Sequence, residues 1–583
     1  MNSERRGKRP RPQNSNRGRF QDRPSYGNGE ELLALLRKVD GASYGAYKRA
    51  LGTWDFGDYK VIFDRLQSDP YAPPSAVRIQ YLRSRTALTA TELDTPDKRL
   101  ATADFLARSF ARLIRERSAK ALSIARCGQE ILERSYASVS EEVFELRISV
   151  RMPARGRTIL GRQAEQIFSK ELPEALENLF DFSTAEHYEA WRSHVHALED
   201  YRSLSSQVEQ AGLIAFIADG ALLARESGIS QKPMLSGVPF KTPDSLAAEF
   251  ELPHAGRVRG MGLPGGITLL VGGGYHGKST VLSAIERSVY PHVPGDGREL
   301  VTALPATMKV RAADGRPVTK VDVSPFINHL PTGADTTRFS TQNASGSTSQ
   351  AASIVEAVQS GSPTLLLDED TSATNLLIRD ARMRELVVAT QEPITPLIDR
   401  IRGLGNDTGT SVIMVMGGSS AYLNVADRVL QMESYHCVDV TDRARELAEQ
   451  MPVSVEEISG FPSLNARVIR PIRSRSDRPK TKAAGVDRIE IDRQGVDVRD
   501  VEQIVDNGQT EAIAYAVRGI TEQLADSKLT LQELADLVEQ QLAKNGLDAL
   551  CKFGARRFPA TLVMPRRVDI IAGANRLRTL DVI

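Results

Sequence analysis

The sequence predicts an α/β core with a mostly parallel sheet, set between an α+β N-terminal domain and a mainly helical C-terminal domain. Two observations carry the core. Three apolar runs, ITLLV (267–271), TLLLD (364–368) and SVIMVM (411–416), have the unbroken hydrophobicity of strands buried on both faces. Helix-compatible segments separate them, as parallel connections require. A third observation carries the flanks: outside residues 250–445 the apolar spacing is mainly helical, with scattered strands.

A chain of 583 residues has room for roughly two to four domains. Apolar residues make up 41 % and charged residues 26 %, so a sizeable core can form. The net charge of +1 hides an asymmetry. Residues 1–29 carry Arg5, Arg6, Lys8, Arg9, Arg11, Arg17, Arg19 and Arg23 against Glu4 and Asp22, a balance of +6 that leaves −5 for the rest. A basic arm on a mildly acidic body suits a polyanionic partner. Cys127, Cys437 and Cys551 are isolated, which gives neither zinc spacing nor a disulfide framework and points to a reducing compartment. No apolar run approaches the ~18 residues of a membrane span. The N-terminus lacks the apolar stretch of a signal peptide. The expectation is a cytoplasmic protein without a membrane partner.

Along the chain, residues 1–29 read as a disordered basic tail, rich in Arg, Gly, Pro and Asn. An α+β domain is expected over 30–240. Its helical pattern starts at Glu30, its amphipathic helices fill 101–135, its strand is VFELRISV (143–150), and helical spacing returns over 161–225. The α/β core is expected over 241–445. The C-terminal domain, 446–583, opens with a basic linker at 471–485 and continues as helices over 497–552.

Residues 272–280 read GGGYHGKST, which satisfies G-x4-G-K-[ST] between a strand and a helix. In that context the backbone N–H groups of Gly272, Gly273, Gly274, Tyr275, His276 and Gly277 close around phosphate oxygens, and the helix N-terminus adds a favourable dipole. Lys278 is placed to reach the β- and γ-phosphates, Ser279 to ligate Mg²⁺, and Thr280 to add a hydroxyl near the α-phosphate. The rival, a glycine-rich turn, does not require the flanking strand and helix. Ninety residues after Lys278, the run TLLLDED puts Asp368 at a strand end, where it would hold Mg²⁺ through water. Glu369 is then the candidate general base for an attacking water.

Between these motifs lies NASGSTSQAASIVEAV (343–358), with Ser345 and Gly346 at a helix start and Ser345 23 residues before Asp368. This order resembles the ATP-binding-cassette class, where a Ser-Gly signature serves the nucleotide of the opposite subunit. The resemblance extends along nearly the whole chain after the tail. DFGDYKVIFDRLQSDPYAPPS (55–75), GMGLPGGITLLVGGGYHGKST (260–280), YPHVPGDGRE (290–299), VDVSPFINHLP (321–331), FSTQNASGSTSQAA (339–352), LLLDEDTSATNLLIRDARM (365–383), EPITPLIDRIR (392–402) and PRRVDIIAGANRLR (565–578) look like the predicted ATPases of the ABC class. The resemblance implies ATP and Mg²⁺ as cofactors, Lys278, Asp368 and Glu369 as catalytic residues, and a head-to-tail homodimer in which Ser345 and Gly346 act in trans.

The sequence departs from the wider cassette pattern. Asp370 replaces the proline that commonly follows the glutamate, and Gly417 stands where the switch histidine belongs. Ser419, Ser420, His276 and His329 are the substitutes at hand, and Asn328 is the candidate for the missing Q-loop glutamine. These departures imply slow turnover. Two further basic clusters, Arg151, Arg155, Arg157 and Arg162, and Arg473, Arg475, Arg478, Lys480 and Lys482, join the tail. Together they point to nucleic acid, RNA before DNA, held through its phosphates with low sequence specificity. The aromatics of residues 44–59 fit core packing better than base stacking. The alternative is a non-catalytic, nucleotide-gated scaffold acting on a protein partner.

Overall fold

The computed structural model describes residues 25–583 apart from 388–390, 452, 454, 457, 459, 474–479 and 493. Most of the expected tail, together with Arg475 and Arg478, lies outside the described residues. Residues 25–28, assigned to that tail by composition, instead form the strand Ser25–Asn28, which pairs in parallel with Gly52–Asp55. Asn28 then caps the helix Gly29–Lys38 in a box with Glu31.

A seven-stranded sheet organises the N-terminal region. Its long members, Tyr59–Arg65, Ser75–Leu82 and Val143–Val150, pair antiparallel; Phe63 meets Phe168, and Tyr81 and Phe144 stack on Phe180, while helix Pro96–Glu116 packs on the short strand Ala137–Val139. That helix starts on a Thr95 cap with Pro96 in its first turn. It stops at Glu116, so residues 118–135 are not the helix that their spacing suggests. Ser118 turns left-handed at φ 54°, and the chain beyond it pairs elsewhere. Ile131 N–H bonds the Pro291 carbonyl at 2.8 Å, and Ser135 N–H bonds the Leu562 carbonyl at 2.9 Å. Tertiary pairing has overridden local preference there. The aromatics Tyr44, Tyr47, Trp54 and Tyr59 are buried in this core.

The helical spacing read over 161–225 also ends early. Helices Gly161–Gln166, Leu172–Phe180 and Ala185–Gln210 are followed, past Gly212 at φ 70°, by the strand Leu213–Ala218. This strand joins a four-stranded antiparallel sheet with Ala247–Leu252, Gly256–Pro264 and Val301–Ala303. The boundary expected at residue 240 therefore falls between strands of one sheet.

The core is a six-stranded sheet ordered Met308–Lys309, Thr364–Asp368, Ser411–Val415, Ile267–Val271, Arg428–Glu433, His436–Asp439. Every pair is parallel except the last. The three apolar runs are adjacent central strands, and most of their residues are buried. C-terminal to it, a three-stranded meander, Thr481–Ala484, Arg488–Ile491 and Gln494–Asp497, precedes helices Asn507–Gly519, Leu531–Asn545 and Arg567–Asn575. The Leu531–Asn545 helix has the expected limits: a Thr530–Glu533 capping box and Gly546 after its end.

One ionic cluster ties the N-terminal helices together. Asp104 is fully buried and accepts from Arg108 Nε at 2.6 Å and pairs with His194 Nε2 at 2.9 Å, while Arg134 closes on its other oxygen. Burial opposes its ionisation, but Arg108, Arg134 and His194 outweigh burial and hold the carboxyl well below the usual range. A carboxyl depressed on folding stabilises the fold above its unfolded value of about 3.9 and loses that contribution as pH falls through the folded value. Asp104→Asn leaves Arg134 buried without its charge partner. It should lower the stability of the N-terminal region by about 3–5 kcal/mol at pH 7. The denaturant midpoint followed by tryptophan fluorescence should show this, with the difference from wild type shrinking below about pH 4.

Candidate functional site

The parallel register brings the predicted residues to one edge of the core sheet. Leu270 pairs with Val415, and Val415 pairs with Asp368, so these residues share one row at the C-terminal ends of adjacent strands. The segments 272–280, 369–371 and 417–420 all leave the sheet just beyond that row. Ligands of open parallel sheets bind at such an edge.

Gly272 sits at φ 133°, and a Cβ there would lie 2.4 Å from the Met432 carbonyl oxygen, so only glycine allows the loop to leave alongside the next strand. Gly277, at φ 99°, caps the helix Lys278–Arg287. Between them Tyr275 adopts φ 63°, an uncommon conformation for a bulky residue, and it is 99 % exposed. Lys278 Nζ donates to the carbonyl oxygens of Gly272 and Gly273, both at 2.8 Å. Ser279 is exposed in the first helical turn, and Thr280 follows it, half-buried. His276 acts locally: its Nδ1 accepts from the Ser434 N–H at 2.9 Å, and its carbonyl accepts from the Tyr435 N–H at 3.3 Å. It thereby fastens the loop to the turn after the Arg428–Glu433 strand. His329 is exposed at φ 49°.

Glu369 lies half-buried one residue beyond the sheet row. Its Oε2 accepts from the backbone N–H groups of Gly417 and Gly418 at 2.6 and 2.9 Å. A Cβ on Gly417 would stand 3.7 Å from that oxygen and 4.0 Å from Lys278 Nζ, so the loop lysine, the glutamate and the Gly417 position converge. A Cβ on Gly418 would lie 2.8 Å from Glu369 Oε1. Ser419 is occupied by its own turn, where it accepts from the Ala421 N–H at 3.3 Å. Asp368 is buried and accepts from the Asp370 N–H at 3.2 Å. A hydroxyl at Ser279 and a carboxylate at Asp368 fit Mg²⁺, which takes few protein ligands and fills its shell with phosphate and water oxygens.

Ser345 and Gly346 begin the helix Gly346–Gln359. Ser345 Oγ bonds Thr348 Oγ1 at 3.0 Å, and no hydrogen bond joins Ser345 or Gly346 to the phosphate loop among the described residues. The same helix is instead locked to the segment after the carboxylates. Ser347 Oγ donates to Asn375 Oδ1 at 2.6 Å. Gln350, fully buried, donates to Ser372 Oγ at 2.8 Å and accepts from the Ala373 N–H at 2.7 Å. Ser372 Oγ donates to the Asp368 carbonyl at 2.8 Å, which closes a hydrogen-bonded path from the helix Gly346–Gln359 to Asp368. Asn328, the Q-loop candidate, spends its amide on the Ser324 carbonyl at 2.5 Å.

Gln350 and Gly418 belong to this arrangement and were not singled out from the sequence. Gln350 had a signal, a polar residue on the buried stripe of a helix. Gly418 had none, because its part is played by a backbone N–H.

Residues 29–182 match the model described as ATPase of the ABC class N-terminal, residues 187–467 match the P-loop domain of ABC_ATPase, and residues 480–583 match the MRB1590 C-terminal domain. An uncharacterised Methanocaldococcus jannaschii protein, MJ1628, is 27 % identical over 256 residues, which cover 42 % of this chain and 56 % of the relative. The chain thus spans about half the length of that relative. Among solved structures, the ADP conformation of MJ1267, an ATP-binding cassette of an ABC transporter, aligns with 41 % of this chain and 96 % of its own at 10 % identity and a TM-score of 0.25. With the two ABC-class models together spanning residues 29–467, the chain belongs to the ABC-class ATPase family.

Proposed function

We propose that this protein binds and hydrolyses ATP with Mg²⁺ in a head-to-tail homodimer, and that its nucleotide state controls binding of RNA. The observation that carries the hydrolytic part is the convergence of Lys278, Glu369 and the Gly417–Gly418 N–H pair beyond one sheet row. Lys278 exchanges the Gly272 and Gly273 carbonyl oxygens for phosphate oxygens when the loop fills. Bound Mg²⁺, held through Ser279 and Asp368, supplies charge neutralisation at the β- and γ-phosphates. Glu369 accepts the proton of the attacking water, and the two glycine N–H groups orient its carboxylate for that role. These N–H groups hold the glutamate, but Gly417 has no side chain with which to contact the γ-phosphate. That absence makes turnover slow and favours the second reading, a nucleotide-gated scaffold. Purified protein releasing no phosphate with or without RNA would support the scaffold. Ser345 and Gly346, unbonded to their own chain's loop, are free to face the nucleotide of a second copy.

The nucleic-acid part rests on the N-terminal region. Arg151, Arg155, Arg157 and Arg162 are all exposed around the hairpin of Ala154–Arg155 and Thr158–Ile159. Tyr47 Oη donates to the Pro153 carbonyl at 2.7 Å, and Tyr44 N–H to the Arg157 carbonyl at 2.9 Å, which fixes this hairpin beside exposed Lys48 and Arg49. Ser25 N–H bonds the Leu51 carbonyl at 2.9 Å, which sets the first described residue beside Leu51, two residues on from Arg49. Cationic groups on one face neutralise a phosphate backbone with little regard to sequence.

Substitutions at the site and a salt series with RNA test this. Lys278→Ala should weaken ATP binding about 10–100-fold by calorimetry, and Glu369→Gln should retain binding while phosphate release falls by about 10²–10⁴-fold. If Glu369→Gln turns over at the wild-type rate, it is not the base. Gly418→Ala displaces the Glu369 carboxylate and should lower kcat by about 10²-fold with ATP affinity unchanged. For single-stranded RNA, log affinity should fall linearly with log salt concentration. Replacing Arg151, Arg155 and Arg157 together by Ala should make that slope shallower by about two.

A further inference from the structure

The strand order gives the site a direction. Ser411–Val415 and Arg428–Glu433 flank the Ile267–Val271 strand on opposite sides. Glu369, Gly417 and the Lys278 ammonium meet on the Ser411–Val415 side. A triphosphate whose terminal group lies among them runs back along the loop, and its sugar and base leave toward the Arg428–Glu433 side. The turn that follows that strand carries Tyr435.

Tyr435 is 55 % exposed, and its backbone is held at φ 70°. Its ring rests on the loop: a Cβ on Gly277 would approach Tyr435 Cδ1 to 3.3 Å. Two hydrogen bonds from the loop fix the turn, Ser434 N–H to His276 Nδ1 at 2.9 Å and Tyr435 N–H to the His276 carbonyl at 3.3 Å. Ser434 is left-handed as well, at φ 48°. Both belong to the two-residue turn of the hairpin between Glu433 and His436, where left-handed backbone matches the twist of the flanking strands. Tyr275 is the rival aromatic, but at 99 % exposure its ring rests on nothing, and a stacking surface requires a fixed ring.

We propose that Tyr435 is the platform on which the purine base of the nucleotide stacks, with His276 as the residue that positions it. The proposal rests on the reading of residues 272–280 as a triphosphate site and adds the base to it. A π-face recognises an aromatic base and adds nothing to a bare phosphate chain, so the two ligands separate the roles.

The test compares calorimetric affinities of the full chain for Mg-ATP and for Mg-tripolyphosphate, which has no base. Tyr435→Ala should weaken ATP about tenfold or more and leave tripolyphosphate within twofold of wild type. Tyr435→Phe, which keeps the ring, should bring ATP affinity back. Equal ATP affinity for Tyr435→Ala and wild type overturns the platform while leaving the phosphate loop standing. An equal loss of both ligands overturns it too, by showing that Tyr435 only shapes the loop. Loss of ATP affinity in Tyr275→Ala instead of Tyr435→Ala moves the base to the loop apex and overturns it as well. Wild-type protein that binds neither ligand removes the triphosphate site itself, and the platform with it.

Discussion

Leu270, Val415 and Asp368 lie side by side in one row of a parallel sheet, and the rest of the site depends on that register. Shifting any of the three strands by one residue would turn its side chains to the opposite face and move its C-terminal loop by about 3.3 Å. The Lys278 ammonium would then no longer stand near the Gly417 position, and the Gly417–Gly418 N–H pair would miss Glu369. The register is secured by the near-complete burial of three apolar runs, which makes any slip costly. On its other side the Ile267–Val271 strand runs so close to Arg428–Glu433 that Gly272 admits no side chain beside Met432.

A second constraint joins the edge to the helix that carries Ser345 and Gly346. Gln350 and Ser347 bind the segment 372–375, and Ser372 in turn binds the Asp368 carbonyl. The helix is therefore tied to the segment that follows Asp368. Its N-terminus and the carboxylates form one hydrogen-bonded unit with little freedom to move separately. Gln350 is buried with both ends of its amide satisfied, the condition under which a polar group inside a core specifies one arrangement.

The flanking regions are built into the same body. Arg147 pairs with Asp548 at 2.6 Å, and Ser135 and Glu133 pair with Leu562 and Met564 across more than four hundred residues. Family matches covering 29–182, 187–467 and 480–583 thus describe segments that fold against one another. No helix among the described residues is long and apolar enough to cross a membrane.

By itself the sequence determined the core strands, the loop at 272–280, the carboxylates at the end of TLLLD and the helix opened by Ser345. Each is a local pattern: unbroken burial, a motif of fixed spacing, a cap. What it did not determine depends on distant partners. The helical pattern expected over 101–135 ends at Glu116 because residues beyond it pair with 291 and 562. The spacing read as helical up to 225 becomes the strand Leu213–Ala218 because neighbouring strands bury nearly all of it. At the site, Gly417 looked like the loss of a switch residue. Only the tertiary structure showed that its N–H, with that of Gly418, holds Glu369, because backbone donors carry no signature in sequence. Tyr435 likewise comes to the phosphate loop 160 residues away, through a parallel pairing that only the folded sheet creates.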